Sequence, residues 1–274
     1  MISVNTNRGA MVALQNLAQT QKDLDVTQNR VATGKKVASA KDNGAVWAVA
    51  NKMGSDVKAY DAVTSSNERA QALLDTATSA GESISDLLSK MKEVALAATQ
   101  TGLSASAQAS YDASFKQYRD QVTSIIGNAS FDGQNMVGAT PSSAVAIGDA
   151  AGGNSITVAG ANLSLGGTVV TVTATETLDT AAHAATALTN VNASIDALST
   201  QLATWGAGAE RLQSHAAFVS KLQDALNSGI GAMTDADLSK ESAKLTALQT
   251  KQQLGAQALS IANSSSQIAL SLFR

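Results

Sequence analysis

The sequence predicts a mainly α fold, an elongated coiled-coil-like helical bundle with paired terminal helices and a small β-rich insert. Apolar residues recur at alternating steps of three and four over long stretches, which keeps one face of each helix turned toward a partner. The 274-residue chain is 44% hydrophobic yet only 3% aromatic, with one Pro and no Cys. Its cores are therefore thin seams of small side chains, suited to close helix packing. Between residues 139 and 177 the pattern changes to short alternating runs rich in Gly, Ser and Thr, the period of half-buried strands.

The first seam reads Asn7, Ala10, Leu14, Leu17, Gln21, Leu24, Gln28 and Val31. Gly34 closes it with the left-handed conformation that only Gly adopts freely, and Lys35 and Lys36 follow at the negative end of the helix dipole. Ser39 and Asp42 have capping-box spacing and predict a new helix start. The seam beyond it runs through Tyr60, Val63, Asn67, Ala70, Leu74, Ala77, Gly81, Ile84, Leu88, Met91, Ala95 and Ala98. Gly102 breaks it. A third helix carries Gln108, Tyr111, Phe115, Tyr118, Val122 and Ile125 and stops at Gly127 and Asn128, after which Phe131, Asp132, Gly133 and Gln134 predict a tight turn.

Strands are predicted at residues 155–158 and 169–173. Helical period returns at Leu178 and settles into a seam from Leu188 through Val191, Leu198, Trp205, Leu212 and Val219 to Met233. Gly206 and Gly208 predict a local loosening of that helix. Thr234 and Asp237, with Asp235 between them, repeat the capping-box spacing. The last helix carries two adjacent stripes, one through Leu238, Glu241, Leu245, Leu248, Gln252, Gly255, Leu259, Ala262, Ser266 and Ala269, the other through Leu254, Ala258, Ile261, Ser265, Ile268 and Leu272.

Two stripes need more than one partner helix. The layout is close to mirror-symmetric, so the two ends are expected to meet. Residues 1–38 and 238–274 then form a terminal helical pair, 39–138 and 178–237 a central bundle, and 139–177 the insert. A thin seam does little against the backbone entropy lost on ordering a helix of about 30 residues. The terminal segments are thus expected to fray in an isolated subunit and to become helical when sister copies cover the second stripe. On this ground Leu14, Leu17, Leu24, Val31, Leu245, Leu248, Leu259, Ile261, Ile268 and Leu272 are the self-assembly residues. Ser39, Asp42, Thr234, Asp235 and Asp237 are the junction caps. Ser142, Ser143, Ser164 and Thr168, in a hydroxyl-rich insert expected to face solvent, are candidate sugar acceptors.

A net charge of −3, with Lys and Arg scattered singly, supplies no basic field for nucleic acid. No run of about 20 apolar residues could span a bilayer, and the start has no apolar core of a cleaved signal. His183 and His215 lack the companions of a metal site, and neither a nucleophile elbow nor a thiol is present. Gly206, Ala207 and Gly208 lack the strand and third Gly of a dinucleotide fingerprint. Asp235 and Asp237 are followed by Leu238 and Lys240 where calcium would need oxygen ligands. An enzyme is disfavoured, and no cofactor or metal is expected.

Asn5, Thr6 and Asn7, then Leu14, Gln15, Asn16 and Leu17, then the run from Arg30, Val31, Ala32, Thr33 and Gly34 to Ser39, Ala40, Lys41 and Asp42 resemble the amino-terminal signature of bacterial flagellins. Residues 207–211, Asp235, Ala236 and Asp237, and residues 267–274 resemble that family's carboxy-terminal blocks, and Phe131, Asp132 and Gly133 its Phe-Asn-Gly turn. Trp47 and Trp205 depart from it, standing where the family carries Leu. The resemblance covers about everything outside the insert.

It implies a subunit that polymerises into the extracellular flagellar filament for swimming. Residues 1–38 and 238–274 would be the D0 domain and the central bundle D1. It also implies export through the flagellum's own type III channel without a cleaved signal, a cytosolic chaperone on the final helix, and contacts with hook-associated proteins and the filament cap. The alternative within the same superfamily is a hook-filament junction protein.

Overall fold

In the computed structural model residues 6–271 are described, with side chains to Ser264. Five helices and one hairpin follow in order: α1 (Arg8–Thr33), α2 (Gly44–Ala98), α3 (Ala105–Asn128), β1 (Ala144–Ile147), β2 (Ser155–Val158), α4 (Ala181–Thr234) and α5 (Leu238–Ser271). The chain forms two compact units, residues 1–55 with 224–274, and residues 56–223.

In the unit of residues 56–223, α2 and α4 run antiparallel. Asn67 Nδ2 donates to the Leu212 carbonyl at 3.0 Å, and Gln223 Nε2 reaches Asp61 Oδ1 at 2.9 Å. The seam expected along α2 is the buried one: Asn67, Ala70, Leu74, Ala77, Ile84, Leu88, Met91, Ala95 and Ala98 all lie inside. From α4 come Val191, Leu198, Trp205, Leu212 and Val219, one per heptad, as a supercoiled pair requires. A second buried row on α2, Leu73, Ala80 and Leu87, together with Phe115, Val122 and Ile126 of α3, completes the core. Ser104 caps α3 by accepting from the Ala107 amide at 3.2 Å.

The predicted turn forms as expected. Phe131 and Gln134 exchange both backbone bonds at 2.9 Å, with Asp132 and Gly133 at φ 50° and 74°, the geometry of a type I′ loop.

The insert holds one antiparallel hairpin, β1 against β2, with Ala144 opposite Val158 and Ile147 opposite Ser155. The predicted strand at 155–158 is β2, while its partner β1 has no equivalent in the sequence reading. The predicted strand at 169–173 does not form. Val169, Val170 and Val172 are buried, but the Thr171 amide donates to Ser194 Oγ at 2.9 Å and the Thr171 hydroxyl to the Asn190 carbonyl at 3.0 Å. The segment is bound to the flank of α4, so alternation reflects contact with a helix and not a ladder. Helix α4 starts at Ala181, later than Leu178, with Thr180 as its cap.

Gly206 and Gly208 do not loosen α4, which is unbroken there. A Cβ on Gly208 would lie 2.8 Å from Val158 Cγ1, so the glycine leaves room for β2. Three residues earlier on α4, Trp205 Nε1 donates to the Ala159 carbonyl at 3.0 Å. The insert is thereby held on the same core as the helices: Ala144, Ala146, Val158, Leu163, Val170 and Val172 belong to one cluster with Leu88, Phe115 and Leu198. The β1–β2 turn closes on Asp149, whose carboxylate accepts from the Gly153 amide at 2.9 Å and from Asn154 Nδ2 at 2.6 Å.

Candidate assembly surface

In the unit of residues 1–55 and 224–274, α1 and α5 form an antiparallel pair. Three cross-links mark its length: Asn7 Nδ2 to the Ala262 carbonyl at 2.8 Å, Gln252 Nε2 to Gln21 Oε1 at 2.6 Å, and Arg30 Nη1 to Glu241 Oε1 at 3.2 Å. Asn7 is also the N-cap of α1, accepting from the Ala10 amide at 3.0 Å, and Gly34 ends the helix at φ 70°.

Three of the eight α1 seam positions differ from expectation. Ala10, Leu17, Leu24 and Val31 face α5, but the alternating positions are Ala13, Thr20 and Thr27 instead of Leu14, Gln21 and Gln28. Thr20 is tolerated inside because its hydroxyl donates to the Asn16 carbonyl at 2.8 Å, whereas the buried Thr27 hydroxyl has no partner. On α5 the first stripe is the inward one. Glu241, Leu245, Gln252, Gly255, Leu259 and Ala262 are half-buried and Leu248 is buried.

Of the ten expected assembly residues, six meet in this seam: Leu17, Leu24 and Val31 with Leu245, Leu248 and Leu259. Leu14 and Ile261 point away from it. Leu14 is 57% exposed, Ile261 69%, and Leu254 of the same stripe 59%. Met11, Val12 and Val26 of α1 are also exposed. The side chain of Ile268, and Leu272 altogether, lie outside the described residues. The pair thus has leucines on both faces, those of the seam covered and Leu14 and Leu254 left in water.

At the first junction the expected capping box is replaced by a turn. Asp42 Oδ2 accepts from the amides of Ala38 (3.0 Å) and Ser39 (2.8 Å) and from the Ser39 hydroxyl (3.1 Å). The Asp42 amide returns to the Ser39 carbonyl instead of its hydroxyl. The helix starts two residues later, and Asn43 caps it by accepting from the Val46 amide at 3.2 Å. The Ser39 amide first, then the Ser39 hydroxyl, the Ala38 amide and the Arg30 charge, hold the Asp42 carboxyl below its ordinary value against a desolvation cost.

At the second junction Asp237 caps α5, accepting from the Ser239 and Lys240 amides at 3.0 and 3.1 Å. Thr234 closes α4 instead of opening α5: its hydroxyl donates back to the Ile230 carbonyl at 2.8 Å. Asn43 was hidden from the sequence reading because a Ser and an Asp at the right spacing stood just before it.

The two junctions are joined to each other. Lys36 and Val37 amides both donate to the Thr234 carbonyl, the Ala236 amide donates to the Gly34 carbonyl, and Lys35 and Asp235 form a one-residue antiparallel bridge. Lys36 Nζ meets the Ala232 carbonyl at 2.9 Å, so this lysine serves the end of α4 and not that of α1. Beside them lies a cavity of about 530 Å³ lined by Arg30, Lys36, Asp42, Asp237, Lys240 and Glu241 among others.

His183 Nδ1 meets Asp179 Oδ1 on the surface at 2.5 Å, a carboxylate four residues back that the sequence reading leaves out, and His215 Nε2 lies 3.0 Å from the Gly148 carbonyl. Among the described residues no three His, Asp or Glu side chains gather as a metal site, and no helix is long and apolar enough to cross a membrane. Of the candidate sugar acceptors, Thr168 is exposed while Ser142, Ser143 and Ser164 are half-buried.

Long paired helices, ends brought together, and an uncovered apolar stripe on the terminal pair define a helical structural subunit built to be joined by others. Residues 4–140 match the bacterial flagellin N-terminal helical region and residues 188–273 the bacterial flagellin C-terminal helical region. The chain is 46% identical over 272 residues to Flagellin FljO of Caulobacter vibrioides, covering 99% of this chain and 98% of that protein. It is 45% identical to Flagellin FljM of the same organism with the same coverage. A flagellin of Brucella melitensis is 36% identical across the whole of both chains. The chain belongs to the bacterial flagellin family. It is a self-assembling subunit of the extracellular flagellar filament, and the hook-filament junction alternative is not better supported by the relatives.

Proposed function

We propose that the terminal pair, residues 1–38 with 238–274, is the polymerising D0 module, and that sister subunits bind its outward faces. The carrying observation is that Leu14, Leu254 and Ile261 are left in water by an α1–α5 seam that already has its leucines. Burial of such side chains is worth about 1.5 to 3 kcal/mol each, and only another chain can supply it. The sequence continues the α5 stripe to Ile268 and Leu272. Leu17, Leu24, Val31, Leu245, Leu248 and Leu259 act one step back, holding the pair in shape. Residues 39–138 and 178–237 serve as the D1 bundle, whose ends, with the joined junctions of Ser39, Asp42, Thr234, Asp235 and Asp237, lie in the same compact unit as the terminal pair, and residues 139–177 serve as the family's variable insert.

Family membership is what supports the finer partners. The subunit leaves the cell through the flagellar type III channel, its final helix is held beforehand by a cytosolic chaperone, and the filament meets hook-associated proteins at its base and the cap at its tip. Thr168, exposed in the insert, is the best placed of the four hydroxyls to accept a sugar. Deleting residues 256–274 tests the central reading. The seam of α2 and α4 does not depend on that segment, so the shortened chain should keep its helical signal and cooperative unfolding but fail to lengthen filament seeds. Undiminished growth would overturn the proposal.

A further inference from the structure

We infer that the register of α1 on α5 is fixed by a steric key, Leu17 against Gly255, and two polar rungs, Gln21 with Gln252 and Arg30 with Glu241. The inference rests on the reading of the outward faces as the assembly surface, because register decides how those faces line up.

Apolar burial alone chooses poorly here. The α1 side of the seam alternates Ala10, Ala13, Thr20 and Thr27 with larger residues, so sliding one helix by a heptad exchanges one small contact for another. The Asn7 bond cannot choose either, since it reads a backbone carbonyl that every residue offers. Gly255 can. A Cβ there would lie 3.3 Å from Leu17 Cδ1, closer than ordinary contact, so the leucine seats more easily on Gly255 than on a residue that carries a Cβ.

Sliding α5 by seven residues in one direction sets Leu17 against Ala262, Gln21 against Leu259 and Arg30 against Leu248. The other direction sets Leu17 on Leu248 and Gln21 on Leu245, and carries Arg30 to Thr234, beyond the start of α5. In either slip the Arg30–Glu241 pair loses its partners, and a mostly buried polar group deprived of its partner in a seam is what specifies register in paired helices, while the exposed Gln21–Gln252 bond at the rim of the pair is exchanged for water. Glu241 is mostly buried in its present pairing, which makes its loss the more costly. A slip of one heptad displaces Leu254 and Ile261 by about 10 Å relative to Leu14, so a slipped pair would present a different surface to its neighbours.

The chain has no Cys, so engineered pairs report register without background. A Cβ placed on Gly9 lies 3.9 Å from that of Ala262, within disulfide range. The pair Gly9→Cys with Ala262→Cys therefore reports the observed register, and Gly9→Cys with Ala269→Cys reports the slip by one heptad. Each pair is placed in the full chain and in a background of Gln21→Leu, Gln252→Leu, Arg30→Met, Glu241→Met and Gly255→Ala, which makes the two registers alike at every discriminating position. Disulfide yields are measured on the soluble subunit under mild oxidation, and elongation from seeds is followed on the same background without cysteines.

The ratio of observed to slipped disulfide is expected to fall by at least roughly tenfold in that background, as loss of more than one polar contact implies. Simple destabilisation would lower both yields together and leave their ratio alone. An unchanged ratio overturns the register inference. A changed ratio with undiminished elongation leaves the register inference standing and sinks the reading of the outward faces as the assembly surface.

Discussion

Replacing Leu14, Leu254 and Ile261 together by Gln removes the outward apolar stripes while keeping good helix formers in place. All three are more than half exposed in the subunit, so the apolar area still to be buried amounts to nearly two whole side chains. At about 1.5 to 3 kcal/mol per side chain, assembly loses roughly 3 to 5 kcal/mol for each subunit added. Because every 1.4 kcal/mol is a factor of ten, the subunit concentration needed to sustain filament growth should rise about 100- to 1000-fold or more. The unassembled subunit should barely notice, since surface substitutions away from special features stay within about 0.5 kcal/mol each. Sedimentation of seeded reactions over a range of concentrations gives the first quantity, and thermal unfolding of the soluble subunit gives the second. An unchanged critical concentration, or a stability loss as large as the assembly loss, would refute the reasoning.

Three further outcomes are expected. Trp205→Ala should destabilise the unit of residues 56–223 by about 3 to 5 kcal/mol, and Trp205→Phe by about 1 to 3, because the Ala159 carbonyl loses its donor; urea unfolding followed by circular dichroism checks both. Amides of Leu14, Leu24 and Leu259 should exchange faster in the soluble subunit than those of Leu88 and Leu198, and slow down in filaments, since the terminal seam is thin and the central core is fully buried; equal protection in the soluble subunit would count against marginal ends. The depressed Asp42 carboxyl contributes stability above its ordinary value of 3.8 that is lost as pH falls through its lower folded value. Protection of the Ala38 and Ser39 amides should therefore weaken on acidification below about that point, and Asp42→Asn should remove this pH dependence.

The long seams of α2 and α4 were legible because one large apolar residue per heptad survives any error in its neighbours: Val191, Leu198, Trp205, Leu212 and Val219 allow a single register. In α1 three of the eight expected seam positions lie outside for the opposite reason. Leu14 is more apolar than Ala13 or Thr20, but Ala13 and Thr20 are small enough to let α5 approach, and the leucine is left outside. Caps were displaced by three or four residues, from Ser39 to Asn43 and from Thr234 to Asp237, the first because Ser39 and Asp42 carry the right groups at the right spacing and use them to close a turn. The segment around Thr171 looked like a strand because one of its faces is buried, and nothing in a period of two says whether the partner is a strand or a helix. Gly208 illustrates a limit of a different kind: its meaning lies in Val158, fifty residues away in the chain, and local sequence holds no trace of that contact. The outward stripe of α5 was legible in full as far as Ile261, since two apolar rows on one helix cannot both face the same partner.

The self-contained Asp149 turn has a practical corollary. Residues 151–154 lie in open solvent, and the carboxylate binds the loop to itself instead of to the helices. Chain can be spliced in beyond that carboxylate with its entropy cost growing only slowly with length, leaving Trp205 and Gly208 to keep the base of the hairpin seated. A peptide grafted at Gly152 would be displayed once per subunit, turning each polymer into a regular array of the guest sequence.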